Sequence, residues 1–278
     1  MRHRTEERMT VVTTPEQYAA EWERWHAARV AELARPDGWL SITSITWLLP
    51  GANKTIEGFP GSFRATKDGV AYTPDASEPA TVRATGETVD AAATFAPQVD
   101  GASVTLAAGG KLAEIINRSG SYAVRIRDPK SPGLLAFHGV DHFEPNPAWV
   151  VPARFERFEQ PRREQVNSVL GTVTHNKQVV GLLHFAIDGQ DLTLEAYDDG
   201  AESPTVIFTD ATSGDETYGA GRFLYLADQL DRPDPVIDFN RAINPPCAFS
   251  EFCTCAVASP RNRLSVRVEA GEKNPHNH

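Results

Sequence analysis

Four stretches near the carboxy terminus carry the side chains best suited to chemistry. In "TYGAGRFLYL", Tyr218 precedes Gly219 and Gly221, and Arg222 opens an apolar strand. In "VIDFNRAINPP", strand alternation would place Asp238 and Asn240 on one face, with Phe239 and Arg241 on the other. Asp210 and Thr212 close the strand "VIFTD", and "EAGEK" supplies Glu269, Glu272 and Lys273 after the last strand. Polar groups at such strand ends need partners wherever they are buried. If these ends converge on a hollow, Arg222 and Arg241 would form a fork for a carboxylate or phosphate, with Asn240 and Lys273 adding contacts. Asp238 or Glu269 would act as base or hold a guanidinium in place, and Tyr218 would donate a proton or hydrogen bond. The plainer alternative is an internal salt-bridge network that fixes strand register and binds nothing.

Two further constellations invite a metal reading. Cys247, Cys253 and Cys255 are the three cysteines of the chain. A structural zinc site would show a second Cys or His pair farther along, and the later His276 and His278 sit in a polar tail. "FHGVDHFEP" carries His138, Asp141, His142 and Glu144, and on a helix the two histidines would share a face. Its glycines and prolines instead make it a loop, with no third ligand at a recognisable spacing. Neither zinc nor another metal is therefore expected, and no motif demands a flavin. Nucleophile elbow, phosphate-cradling loop, dinucleotide fingerprint and zincin motif are all missing.

These side chains need elements to hold them. "PEQYAAEWERWHAARVAELAR", from Pro15 to about Arg35, predicts a helix, with Tyr18, Trp22, Trp25, Val30 and Leu33 at roughly helical spacing. Thr14 is a cap, Pro15 occupies the first helical position, and Pro36 is a stop. Trp22 and Trp25 would anchor this helix on a sheet; an aromatic ligand platform is the sharper reading. Beyond Asp37 the pattern becomes short and alternating, broken by Gly, Pro, Asp and Asn. "VNSVLGTVTHN", "VIDFN" and "LSVRVEA" are among the predicted strands, and Asp188-Gly189 is a hairpin signal, with a further turn at Asp198-Asp199-Gly200. No helices alternate with these strands, which argues against a parallel βαβ sheet. The expected fold is mainly β, an antiparallel barrel or sandwich with the amino-terminal helix packed on it. Pro245 and Pro246 form a stiff corner with Cys247: they fix φ, cannot donate to a ladder, and either preceding bond could be cis. That corner would carry Cys247 and Phe249 back over "VIDFN", with the cysteines as wall.

The 278 residues with a formal net charge of −10 argue against nucleic acid, because an acidic surface repels phosphate. No apolar stretch approaches the roughly 18 residues of a membrane span. The charged amino terminus lacks a signal-peptide core, so a cytosolic protein with reduced thiols is expected. Residues 1–14 and 274–278 read as flexible tails around one β-rich domain over 15–273. A division within it could fall in the proline-rich stretch 130–152.

"TYGAGRFL", "DFNRAINPPCAFS" and "NRL…EAGEK" closely resemble the signature of the domain-of-unknown-function 1684 family of bacteria and archaea. "DGWLSITSITWLLPGANK" is similar to that family's opening motif, and the resemblance runs from about Glu21 to Lys273. It implies one family domain and supplies no reaction. By position it marks Tyr218, Gly219, Gly221, Arg222, Asp238, Asn240 and Arg241, then Asn244, Pro245, Pro246, Cys247, Cys255, Glu269 and Lys273. Cys253 stands where relatives carry a small residue, and His138 and His142 fall outside the matched positions. Three functions follow: an enzyme using hydrolase-like acid–base chemistry on a small anionic molecule, a non-catalytic small-ligand-binding or sensing domain, or a structural domain whose polar network only sets the fold.

Overall fold

A computed structural model describes residues 14–171, 173–198 and 203–275. Most of the two expected tails, with His276 and His278, and the turn residues Asp199 and Gly200 lie outside these. The Thr14 hydroxyl accepts from the Gln17 amide and the Gln17 side chain accepts from the Thr14 amide, so α1 (Pro15–Leu33) opens with a capping box and a proline. Tyr18, Trp22 and Leu33 form its buried stripe.

Ten short strands follow: β1 (Ile42–Trp47), β2 (Lys54–Ile56), β3 (Phe59–Thr66), β4 (Gly69–Thr73), β5 (Ala80–Val82), β6 (Thr88–Val89), β7 (Ala93–Phe95), β8 (Val104–Ala108), β9 (Lys111–Arg118) and β10 (Ser121–Arg127). They make one sheet in the order β1-β10-β9-β8-β5-β6 and another in the order β2-β3-β4-β7. After a single helical turn, α2 (Pro132–Leu135), come β11 (Val150–Asn167), β12 (Thr174–Ile187), β13 (Gln190–Tyr197), β14 (Thr205–Phe208), β15 (Arg222–Tyr225) and β16 (Val236–Asp238). These form the third sheet, ordered β15-β14-β13-β12-β11-β16. The paired strands run antiparallel, and the fold is a nearly closed barrel with α1 packed on it. Phe63, Tyr72, Leu106 and Ile115 centre the core between the first two sheets, and Leu183, Leu194, Phe208 and Phe239 centre that of the third.

β12 and β13 are joined by Asp188 (φ 50°) and Gly189 (φ 73°), two successive left-handed residues that match the right-handed strand twist. Three expected strands came out differently. "VNSVLGTVTHN" is split by the turn that joins β11 to β12. "VIDFN" ends at Asp238, whose side chain caps a 3-10 turn over Phe239–Arg241 by accepting from the Asn240 amide, so the predicted two-faced alternation stops there. "LSVRVEA" keeps its alternation, with Leu264, Val266, Val268 and Ala270 buried, yet it joins no ladder. Its backbone instead makes scattered bonds: Leu264 N to Thr209 O, Ala211 N to Val266 O, and Val268 N to the Asp210 carboxylate. At the tails, Thr14 caps α1 and the Asn274 amide donates to Glu216 O.

Two buried arginines tie β10 to its surroundings, and Arg125 joins it to the carboxy-terminal segment. On β10, Arg127 donates to Glu114 at 2.8 Å, and the Arg125 guanidinium reaches Phe252 O at 3.1 Å and Thr254 Oγ1 at 3.4 Å. Both guanidiniums lie over the Trp39 ring.

Candidate functional site

Arg222 is fully buried. Its Nη1 donates to Ala270 O, and its Nη2 donates to Val268 O at 3.0 Å and to Asp210 Oδ2 at 3.3 Å. Asp210 is occupied as well, accepting from Thr212, from Ser213 and from the Val268 amide. Burial lowers the Arg222 pKa to about 10 although Asp210 and Glu272 oppose the shift. This guanidinium stitches the strand-like 264–270 segment to β15, and its one unpartnered donor, Nε, is sealed from the surface.

Arg241 lies elsewhere. It pairs with Asp238 at 3.1 Å and covers the Trp25 ring, with its side chain 40% exposed. The expected fork is therefore not formed: one guanidinium is sealed inside, and the other is neutralised at the surface of α1. Glu269 is exposed and pairs with Arg267, Lys273 lies over the Phe143 ring, and the Tyr218 hydroxyl donates to Cys247 O at 3.1 Å. The proposed base, donor and anion-binding groups do not share one hollow.

Much of the motif instead receives α1. The Tyr18 hydroxyl donates to Asp238 Oδ1 at 2.8 Å, and Trp22 Nε1 donates to Asn240 O at 2.9 Å. Arg29 donates to Asn244 O at 3.0 Å and to Glu272 Oε1 at 2.9 Å, and the other Glu272 oxygen takes the Asn244 amide. Burial and the neighbouring Asp238 carboxylate push the Tyr18 hydroxyl well above its usual range, so it stays a donor. Gly271 lets the carboxy-terminal segment pass close to the turn after β16: its φ is +78°, and a Cβ there would stand 2.5 Å from Ala242 O.

Beside this contact runs a groove of about 280 Å³. Trp22, His26 and Ala27 of α1 form one wall, His142, Glu144 and Pro145 the other, and Glu23 stands at the rim. The His26 ring stacks on Trp22 at 4.8 Å with a 9° interplanar angle, and the His142 ring lies 4.6 Å from both. His142 is fixed because its loop pairs with the end of the motif, through Phe143 N to Gly271 O and Lys273 N to Asp141 O. Burial, then the neighbouring His142, holds His26 below the ordinary imidazole range, and its Nε2 makes no hydrogen bond. Among the described residues no cluster of three or more His, Cys, Asp or Glu is arranged to hold a metal ion. Sequence reasoning found Trp22, as an anchor or platform, and His142, as a loop residue, but missed His26 and Arg29. The helical spacing Trp22, His26, Arg29 was the available signal.

At the corner, Pro245 precedes a 3-10 turn over Pro246–Ala248, and no described residue follows a cis bond. Cys247 and Cys253 are buried and Cys255 is partly exposed, in a small apolar cluster with Ile42, Trp39 and Tyr218. Sequence reasoning also passed over Glu164 and Glu195, whose Oε2 atoms are buried without hydrogen bonds beside Tyr197. Burial and Glu195 raise the Glu164 pKa.

These features define an antiparallel β protein with an amino-terminal helix clamped across its carboxy-terminal strands and a small aromatic groove at the seam. The chain belongs to the family described as protein of unknown function (DUF1684), whose model matches residues 135–273. The match excludes α1 and the "DGWLS" stretch, so the resemblance back to Glu21 is not part of it. Among solved structures, that of an uncharacterized protein from Haloarcula marismortui, determined by NMR in solution, is similar at 30% identity. It covers 51% of this chain and 80% of its own, with a TM-score of 0.43. No curated protein matches.

Proposed function

We propose that the protein is a small-molecule-binding β domain and that its ligand enters the groove between α1 and the loop carrying His142. The unpartnered Nε2 of His26 carries this reading. A buried nitrogen without a hydrogen bond costs about 1–3 kcal/mol, which a donor group on a ligand would recover. His26 is held neutral, so Nε2 can accept. Trp22 and His142 offer ring faces and edges, which favours a planar guest. Glu23 at the rim and Glu144 in the wall disfavour anions. The ligand class is therefore a neutral or cationic heteroaromatic molecule bearing an N–H donor, in place of the small anion expected from the arginines.

A thermal-shift and tryptophan-fluorescence screen tests this, with aminopyridines and aminopyrimidines set against benzoate and inorganic phosphate. The amines should raise Tm and perturb the fluorescence, and His26→Gln should remove both effects while the protein stays folded. Response to the anions alone, or an undiminished response in His26→Gln, overturns the assignment. Acid–base catalysis at the same groove would show in addition as turnover of a bound amine that His26→Gln abolishes.

A further inference from the structure

We infer that Cys247 and Cys255 form an oxidisable dithiol that closes to a disulfide under peroxide, with Cys253 as an inert neighbour. The geometry carries this. The Cys247 amide donates to Cys255 Sγ at 3.2 Å, which draws the Cys255 sulfur against the Cys247 backbone. The rigid Pro245–Pro246 corner and the 3-10 turn that follows hold Cys247 in place. Cys255 is partly exposed and Cys247 is 7% exposed, so the route for hydrogen peroxide to the pair lies on the Cys255 side, whereas Cys253 is 1% exposed.

The electrostatics sort the thiols in the same way. Cys247 is held below the ordinary thiol range chiefly by a hydrogen bond from the Cys255 thiol. Cys255, the donor of that bond, is pushed up. Burial pushes Cys253 to about 12, which leaves it protonated and unreactive. One thiol is thus prepared to attack and the adjacent one to resolve.

The Cys247 thiolate attacks one oxygen of hydrogen peroxide, the O–O bond breaks, and the departing hydroxide takes a proton to become water. The Cys255 sulfur then displaces the sulfenyl oxygen of Cys247, which leaves as a second water with the Cys255 proton. Two thiols are oxidised by two electrons in total and one peroxide is reduced to two waters. The new bond would close the loop from Cys247 to Cys255. That loop packs Phe249 beneath α1 and presents Phe252 O and Thr254 to Arg125 of β10. The oxidation site therefore lies where the helix and the two halves of the fold meet.

Intact-mass analysis of the folded chain after a hydrogen peroxide titration tests the inference. The oxidised protein should be about 2 Da lighter. Non-reducing peptide mapping should place the bond between Cys247 and Cys255, and a thiol should restore the mass. Cys253→Ser should oxidise like the parent, and Cys255→Ser should give instead an oxygen adduct on Cys247. Non-reducing mapping needs only the parent chain, so the test survives a variant that fails to fold. A bond involving Cys253, oxygen adducts in the parent without loss of mass, or no reaction of the folded chain under conditions that oxidise the denatured one would each overturn it.

Discussion

Removing the Arg222 side chain would leave the Asp210 carboxylate, Val268 O and Ala270 O without their shared donor in an interior closed to water. Breaking one side of such a pair costs roughly 3–5 kcal/mol, so Arg222→Ala should unfold at markedly lower urea. Arg241 pairs with Asp238 at the surface with its side chain 40% exposed, and Arg241→Ala should cost less than about 1 kcal/mol. Comparable losses in the two variants would refute this division of roles. Residue type was legible in the sequence for both arginines, but burial was not. Both stand at strand ends beside carboxylates, and only the folded chain shows that the carbonyls of Val268 and Ala270 converge on one of them. His26 was likewise hidden, because its partners Trp22 and His142 come from segments far apart in sequence.

The helix α1 and the motif it covers form one cooperative contact. Arg29→Ala would leave the Glu272 carboxylate, whose side chain is 2% exposed, without its paired guanidinium and with the Asn244 amide as its remaining hydrogen-bond donor. A loss of about 3 kcal/mol is expected. Trypsin should then cut sooner after the exposed Arg24, and Glu272→Gln added to Arg29→Ala should restore part of the loss. Unchanged cleavage and stability would show that the helix is held by its aromatic residues alone. The helix itself was legible almost to the residue, because Thr14, Pro15 and Gln17 make a local cap. Strands were legible wherever pairing follows alternation, as on either side of Asp188-Gly189. The "LSVRVEA" segment misled because alternation reports which side chains are buried and says nothing about whether a neighbouring backbone lies in register. There the Asp210 carboxylate takes an amide that a ladder would otherwise satisfy.

Across the molecule, opposing groups set the response to pH. His26 and His175 lie below the ordinary imidazole range, with burial as the leading cause. As pH falls through about 6.5, the unfolded chain binds protons that the folded chain resists, so stability should decline from there toward the depressed folded values. Glu164 acts the other way. Its raised pKa lends stability that is complete below the ordinary carboxylate value and lost as pH rises through the folded value. Glu164→Gln should therefore raise Tm at neutral pH and lose that advantage near pH 4, as a pH series of thermal melts would show. A Tm lowered at neutral pH would mean that the exposed pairs with Arg162 and Arg261 outweigh the repulsion from Glu195.

The family match begins at residue 135, whereas Asp238, Asn240, Asn244 and Glu272 find their partners on a helix that starts at Pro15. The matched residues thus stop short of the helix that their own side chains hold. An excised piece spanning only the matched residues would carry a raw acidic and aromatic scar where the helix had lain, so cloning boundaries drawn from the motif alone should yield an insoluble product, and an expression plan for this chain has to keep the helix with its Thr14 cap.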